Sequence, residues 1–165
     1  MKTMSNDLTH IADDGSVRMV DVSEKAATAR LAEAAGRITM AHDTVERIVG
    51  GDLPKGNVLE TARIAGIMAA KRTADLIPLC HPISVTGVEI TFEIVPDGIT
   101  VRGIVKVDER TGVEMEALTA VATSLLTIYD MCKAVDKSMV IGDIRLIKKT
   151  GGRSGTYLRP GEDSI

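Results

Sequence analysis

Residues 88–107 read VEITFEIVPDGITVRGIVKV, and this stretch decides the fold class. Apolar and polar residues alternate over residues 88–94, as they do in a strand that is buried on one face. The letters PDG at residues 96–98 have the composition of a tight turn. Alternation resumes over residues 101–107, so the stretch predicts an antiparallel β-hairpin.

Helices are predicted on both sides of this hairpin. After it, TGVE at residues 111–114 has the spacing of a capping box, and an apolar stripe continues to about residue 135. Before it, Asn57 has the position of an N-cap for a helix that continues to about residue 74. A shorter helix is predicted over residues 41–49, because two glycines follow it.

The remaining segments complete one domain. A last strand is predicted over residues 139–149, whereas residues 20–40 stay open between a helix, which their alanine content favours, and a strand. Helices segregated from strand hairpins, without regular βαβ alternation, predict a two-layer α+β fold. We expect a flexible N-terminal arm over residues 1–18, a single domain over residues 19–156 and a disordered tail over residues 157–165.

Composition excludes several classes of protein. The 165 residues include 20 basic and 23 acidic side chains, so no overall positive charge attracts nucleic acid or anionic lipid. Aromatic residues make up 2%, too few for stacking on the bases of single strands. Two separated cysteines indicate neither a disulfide framework nor a zinc site, and no apolar run is long enough to cross a membrane. We therefore expect a soluble cytoplasmic protein with reduced thiols.

Two short segments are candidates for contact with a substrate. Lys55 precedes a predicted helix N-terminus, where an ammonium group and free backbone N–H groups suit an anion; the alternative is a solvated loop lysine. His81 lies between two prolines and is either a proton carrier or a histidine that bonds backbone carbonyls. We interpret its neighbour Cys80 as a packing residue rather than a nucleophile, because little positive charge is near to lower its pKa.

Charged residues in and after the long predicted helix are further candidates. Glu114 and Glu116 lie in its first turn, where acids are favourable in any case. Asp130 and Lys133 share a helix face, either as a surface ion pair or as a pocket pair in which Lys133 has a lowered pKa and donates protons near neutrality. Beside two glycines lies a basic cluster of Arg145, Lys148, Lys149 and Arg153. The cluster suits a polyphosphate or protects an exposed sheet edge, and we expect its first and third members to share a strand face.

The spacing of the acids along this helix restricts where a site can form. Glu116 and Asp130 are 14 positions apart, which places them about 40° apart around the helix but about 21 Å apart along it. A pocket for one small molecule does not easily span that distance within one copy. If both residues serve one site, we expect the second to come from another subunit, with its helix antiparallel across a two-fold axis.

Several of these motifs, in this order, resemble one family. The matching segments are KGNV at 55–58, TARIAGI at 61–67, LIPLCHP at 76–82, TGVEMEALT at 111–119 and IYDMCKAV at 128–135. Together they resemble the cyclic pyranopterin monophosphate synthases of molybdenum cofactor biosynthesis, over about residues 8–156. Several long motifs in one order are far more specific than any single one.

The resemblance implies a fold, an assembly and a reaction. It implies a ferredoxin-like catalytic domain with an antiparallel sheet and helices packed on one face, assembled as a homohexamer of three dimers with active sites at the dimer interfaces. The reaction converts 3′,8-cyclo-7,8-dihydro-GTP into cyclic pyranopterin monophosphate and releases pyrophosphate. No redox cofactor and no protein-bound metal is expected, and Mg²⁺ bound with the triphosphate stays open. A non-catalytic nucleotide sensor and a structural assembly protein are the competing interpretations.

The resemblance also assigns roles to residues. By the matching motifs, Asp130 is the catalytic residue and Lys55 and Lys133 are its catalytic partners, while Lys149 lies near the phosphates. Six substrate-binding residues carry over: Leu79, Cys80, His81, Glu114, Met115 and Glu116. Where the family has GGKSG, this chain has GGRSG, so Arg153 keeps the charge but does not titrate as a lysine does.

Overall fold

The computed structural model of the chain describes residue 11, residues 14–152 and residues 154–164. In chain order the elements are β1 (Thr28–Thr39), α1 (His42–Gly50), α2 (Val58–Ala70), α3 (Thr73–Leu76), β2 (Gly87–Val95), β3 (Gly98–Glu109), α4 (Glu114–Cys132), β4 (Val140–Thr150) and β5 (Tyr157–Leu158). Most of the predicted N-terminal arm, and Arg153, lie outside the described residues. Among the described helices, none combines the length and the apolar character needed to cross a bilayer.

One antiparallel sheet contains all five strands, in the order β2-β3-β1-β4-β5. The predicted hairpin is confirmed as β2 and β3, with Val95 opposite Gly98 at the turn. A side chain has no room at Gly98, because a Cβ atom there would lie 2.2 Å from the carbonyl oxygen of Ile38. Strands β1 to β4 and the helices between them follow the β-α-β-β-α-β order of ferredoxin-like domains.

Helices α2 and α4 pack side by side against one face of the sheet. Small strand residues allow α4 to lie close, since a Cβ atom at Gly36 would be 2.7 Å from Leu125 and one at Gly103 would be 3.1 Å from Val121. Fully buried aliphatic side chains fill this layer, among them Ile38, Ile90, Ile99, Val101, Val105, Val121, Leu125 and Ile128. The predicted two-layer α+β arrangement is therefore confirmed.

The two predicted helix starts differ in outcome. The Asn57 side chain accepts a hydrogen bond from the backbone N–H of Glu60 at 3.1 Å, so this N-cap is confirmed, although its helix ends four residues earlier than predicted. The predicted capping box at residues 111–114 is wrong. Helix α4 begins at Glu114, and the residue before it, Val113, has no side-chain acceptor for a cap.

Strand β4 pairs with β1 through two register shifts, both between Glu33 and Arg37. An extra residue in one strand reverses the face to which the following side chains point. As a result, Arg145 lies on the sheet face away from the helices, whereas Lys149 lies on the helix face. The prediction that these two cations share a face is therefore wrong.

The tail from residue 157 differs from the disordered segment that we expected. Tyr157–Leu158 pair with Lys148 and Lys149 as β5, and the backbone N–H of Arg159 donates to the carbonyl of Ile147 at 2.8 Å. The residues that follow lie on the sheet face that the helices leave open, and they contact its cations. Composition alone does not reveal this, because the contacts depend on which strand residues face outward.

Candidate functional site

Asp130 lies near the C-terminal end of α4 between two lysines. Lys133 places its Nζ 2.7 Å from Oδ1 of Asp130, and Lys55 places its Nζ 2.8 Å from Oδ2. Lys55 also donates to the Asp130 backbone carbonyl at 2.9 Å. The loop before α2 brings Lys55 there, because Gly56 takes a positive φ of 87° that favours glycine. The three predicted catalytic residues thus form one group, the Asp130 cluster.

Charge pairing shifts the pKa values within the Asp130 cluster. Hydrogen bonds from Lys133 and then Lys55 lower the pKa of Asp130 to about 2, so its carboxylate is ionised at neutral pH. In return, the hydrogen bond and the negative charge of Asp130 raise the pKa of Lys133 above its ordinary value. About half of each side chain is exposed, so water and salt screen the pairing.

Lys133 is therefore not the lysine of lowered pKa that the sequence hypothesis requires. A lower lysine pKa needs burial or an excess of nearby positive charge, whereas in a single chain Lys133 is half-exposed and the Asp130 carboxylate outweighs the nearby Lys55. Within one chain, the cluster is a carboxylate that orients two charged ammonium groups. Proton donation by Lys133 near neutrality requires a further surface that covers its ammonium group.

A cavity of about 310 Å³ lies at the other end of α4. All six residues predicted to bind substrate line it: Leu79, Cys80, His81, Glu114, Met115 and Glu116. The Nε2 atom of His81 donates to the carbonyl oxygen of Val20 at 2.8 Å, so the segment before β1 holds the ring. The interpretation of His81 as a histidine that bonds a backbone carbonyl is confirmed, and its role as a proton carrier stays a prediction. We call this space the His81 cavity.

Burial raises the pKa of one carboxyl group and one thiol in the His81 cavity. Glu116 is 3% exposed, and this burial raises the pKa of its carboxyl group. Burial and the charge of Glu116 also raise the pKa of the Cys80 thiol, which agrees with a packing role rather than a nucleophilic one. The cavity thus contains a carboxyl group that holds a proton more readily than a surface glutamate does.

A second cavity, of about 260 Å³, adjoins the His81 cavity and shares Lys25 and Glu114 with it. Its lining contains four cations: Lys25, Arg30, Arg110 and Lys149. Among its described lining residues, Glu114 is the one carboxylate, and its Oε1 lies 3.5 Å from Nζ of Lys149. Such an excess of positive charge suits phosphate groups. We call this space the anion cavity.

The predicted basic cluster is divided between the two faces of the sheet. Of its described members, Lys149 alone lines the anion cavity. On the opposite face, Arg145 contacts the carboxylate of Glu162, and Lys148 donates to the hydroxyl of Ser164 at 3.0 Å. Ordinary strand alternation places Lys148 opposite to Lys149, and a register shift moves Arg145 to the face of Lys148, so the structure does not bring these two residues into one polyphosphate cluster with Lys149.

Sequence reasoning missed three cations of the anion cavity: Lys25, Arg30 and Arg110. Pairing of β1 with β3 places Arg30 opposite Val107, where its side chain donates to the carbonyls of Glu109 and Arg110 at 2.8 and 3.1 Å. Residues 80 positions apart meet in this way only after the strands have paired. Assigning residues 28–39 to a strand and pairing it with β3 would have brought Arg30 and Arg110 together.

The Asp130 cluster and the two cavities lie at opposite ends of α4. Glu116 and Asp130 belong to one continuous helix, and their 14-position spacing corresponds to about 21 Å along its axis. One chain brings the predicted residues together in two groups and does not join the groups. The three predicted catalytic residues form the first group, and the six substrate-binding residues with Lys149 form the second.

Known proteins are similar in sequence to this chain over most of its length. A family profile described as the MoaC family matches residues 19–152. A "Cyclic pyranopterin monophosphate synthase" of Desulfitobacterium hafniense is 59% identical over 154 residues, which cover 93% of this chain and 94% of that protein. Proteins of the same name from Heliobacterium modesticaldum and Novosphingobium aromaticivorans are 57% and 59% identical and cover 92% of this chain and 97% of their own length. From matches of this extent, we conclude that the chain belongs to the MoaC family.

Proposed function

We propose that this chain converts 3′,8-cyclo-7,8-dihydro-GTP into cyclic pyranopterin monophosphate and pyrophosphate, a step in molybdenum cofactor biosynthesis. The observation that carries the proposal is the anion cavity beside the His81 cavity, because the substrate joins a triphosphate to a reduced purine. The name shared by near-full-length relatives supports the same reaction.

The triphosphate binds in the anion cavity. Lys25 and Lys149 offer ammonium groups, while Arg30 and Arg110 add positive charge from side chains that also bond the backbone. Glu114 is the one carboxylate of the described lining, too few oxygen ligands for the protein to hold Mg²⁺ without the phosphates. The four cations of the lining balance phosphate charge whether or not Mg²⁺ accompanies the triphosphate.

The reduced purine binds in the His81 cavity. Leu79 and Met115 supply apolar contacts, and His81 and Glu116 supply polar ones. Because burial raises the pKa of Glu116, its carboxyl group can accept or donate a hydrogen bond at a ring nitrogen. The ring thus lies next to the phosphates without direct contact to the Asp130 cluster of the same chain.

The Asp130 cluster reaches the substrate from a second copy of the chain. A two-fold axis that sets two α4 helices antiparallel brings the C-terminal end of one helix to the N-terminal end of the other. The half-exposed lysines of the cluster support this arrangement, because their ammonium groups are open to contact from a second copy. We propose that three such dimers form a hexamer with a ferredoxin-like fold in each subunit.

Two bond changes of the reaction can be assigned to residues. In the first, the bond between the aminal nitrogen and the linked carbon of the reduced imidazole ring breaks: Lys133 donates a proton to the nitrogen while Asp130 orients its ammonium group, and water bonds to the carbon through its oxygen and releases a proton to solvent. In the second change a sugar hydroxyl attacks the α-phosphorus, so a new P–O bond forms and the bond to the pyrophosphate oxygen breaks. The hydroxyl proton returns to the Lys133 amine, and Lys149 stabilises the departing charge.

Release of pyrophosphate tests this proposal. With the cyclised dihydro-GTP as substrate, the purified chain is expected to release one pyrophosphate for each substrate consumed. Asp130→Asn keeps the side-chain shape and is expected to abolish release, whereas Asp97→Asn, at a surface ion pair with Arg37, is the matched control that should not change it. Saturable binding without pyrophosphate would instead identify a nucleotide-binding protein.

We place the reaction in the cytoplasm. Cys80 and Cys132 are both free thiols, and burial raises the pKa of Cys132 to about 11, so neither is prone to oxidation. A reducing compartment keeps such thiols in this form. Expression with a fluorescent tag and fractionation of the cells would test the location.

A further inference from the structure

The C-terminal segment is attached along the whole second half of β4. Residues 157–164, here called the C-terminal strap, begin with Tyr157 opposite Lys149 and Leu158 opposite Lys148. Arg159 continues the contact, because its backbone N–H donates to the carbonyl of Ile147 at 2.8 Å and its Nε donates to the carbonyl of Leu146 at 2.8 Å. The strap thus follows β4 backward from the anion cavity.

The strap then fastens to the cations of the open sheet face. Glu162 contacts Arg145 through its carboxylate, and this guanidinium group holds the pKa of Glu162 below its ordinary value. The backbone carbonyl of Asp163 accepts a hydrogen bond from Arg102 at 3.0 Å, and Ser164 accepts one from Lys148 at 3.0 Å. These contacts join the strap to β3 and to β4, the two strands on either side of β1.

Strand β4 needs this support because its other neighbour holds it irregularly. Its ladder to β1 is interrupted by two register shifts, and Asp143 adopts a positive φ of 57° that is uncommon outside glycine. Without the strap, β4 would be an irregular edge strand. The strap supplies a second set of hydrogen bonds where β1 leaves the ladder broken.

Lys149 is the functional candidate whose position depends most directly on the strap, because Tyr157 pairs with it. Its side chain is 23% exposed, contacts the hydroxyl of Ser154 and lies 3.5 Å from Glu114. It is also the β4 cation that lines the anion cavity, and its register partner in the strap is Tyr157. A shift of β4 would therefore move an ammonium group of this cavity.

We propose that the C-terminal strap positions Lys149 and so sets the affinity of the anion cavity for a polyphosphate. The proposal rests on the proposed function only for the identity of the anion. Glu162 and Arg159 act through Lys149 and are positioning residues, not catalytic ones. If these residues only stabilised the fold, substituting them would lower the free energy of unfolding, and the effect on anion affinity would not depend on Lys149.

Binding of inorganic tripolyphosphate, measured by isothermal titration calorimetry on the full chain, tests the proposal. The double variant Arg159→Ala/Glu162→Gln should bind it about three- to tenfold more weakly, because Lys149 makes a charge-assisted hydrogen bond less often. Hydrogen exchange at residues 157–158 should rise in the same variant. Asp97→Asn removes a surface ion pair elsewhere and should leave the affinity unchanged.

A double-mutant cycle with Lys149→Ala separates positioning from stability. In that background, the strap substitutions should change the affinity by less than about twofold. The exchanged pair Arg145→Glu with Glu162→Arg should recover affinity that Glu162→Gln loses. Full additivity with Lys149→Ala, unchanged hydrogen exchange in the strap, or no tripolyphosphate binding by the unaltered chain would each overturn the proposal.

The two proposals fail in different experiments. If the unaltered chain binds tripolyphosphate through Lys149 but releases no pyrophosphate from cyclised dihydro-GTP, the proposed function is wrong and the strap proposal stands. If the unaltered chain releases pyrophosphate, and Arg159→Ala/Glu162→Gln raises hydrogen exchange in the strap without weakening tripolyphosphate binding, the strap proposal alone is wrong.

Discussion

Mixing two inactive variants should restore activity if each site takes residues from two chains. Asp130→Asn disables the Asp130 cluster, and His81→Ala disables the His81 cavity. Glu116, which lines that cavity, lies about 21 Å from Asp130 along α4. Each variant alone should lose at least about 100-fold in turnover, because Asp130 orients the proposed proton donor Lys133 and His81 holds the reacting ring in place.

The expected recovery follows from the two-fold symmetry. In a mixed dimer, one site combines the unaltered cavity of the first chain with the unaltered Asp130 cluster of the second, while the other site holds both defects. Random exchange makes about half of the dimers mixed, so about one quarter of all sites are intact. The same fraction holds however many dimers assemble.

The assay is pyrophosphate release after the two variants are unfolded together and refolded at equal concentrations. Hexamers purified through two different affinity tags should stay at about one quarter of the unaltered turnover, because almost every hexamer then contains both variants. If circular dichroism and size-exclusion chromatography show native assemblies, yet the mixture stays as inactive as its parents, the site lies within one chain and the geometric reasoning is wrong.

Three further predictions concern single substitutions. Lys133→Ala should lower turnover by about 100-fold or more by removing the proton donor, while size-exclusion chromatography shows an unchanged assembly. Asp136→Asn should destabilise the fold by about 1–2 kcal/mol in urea titrations, because a carboxylate that accepts from the Ala41 backbone N–H at 3.0 Å is lost. Since these hydrogen bonds lower the pKa of Asp136, its stabilisation is present above the ordinary aspartate pKa and should disappear as pH falls through the lowered value. Gly66→Ala should destabilise by about 1–3 kcal/mol in thermal melts, because the new Cβ would lie 2.3 Å from Oγ of Ser124.

Alternation of apolar and polar residues predicted the strands that have one buried face and one more exposed face. The β2–β3 hairpin alternates because one face meets the helices and the other does not, and the structure confirms it. Strand β1 lies at the centre of the sheet, where Glu33 and Ala35 on one face are as buried as Ala32 and Ala34 on the other. Burial on both faces removes the alternation, so the sequence left that segment undecided.

Long-range pairing limited what the sequence could say about the site. Lys55, Asp130 and Lys133 were grouped by family motifs, and the structure places them in contact. The cations Arg30 and Arg110 meet only because β1 pairs with β3, and no local spacing indicates that. The face of Arg145 depends on a register shift between it and Lys149, which periodicity within one strand does not predict.

The direct contact of α4 with the small residues of the sheet also limits how this protein can evolve. Because the helix is fixed on the sheet, its length sets the separation between the Asp130 cluster and the two cavities that the proposed dimer has to match. Inserting one helical turn between Glu116 and Asp130 would increase that separation by about 5.4 Å. We therefore expect that related chains tolerate insertions in the loops around α4 but not within it.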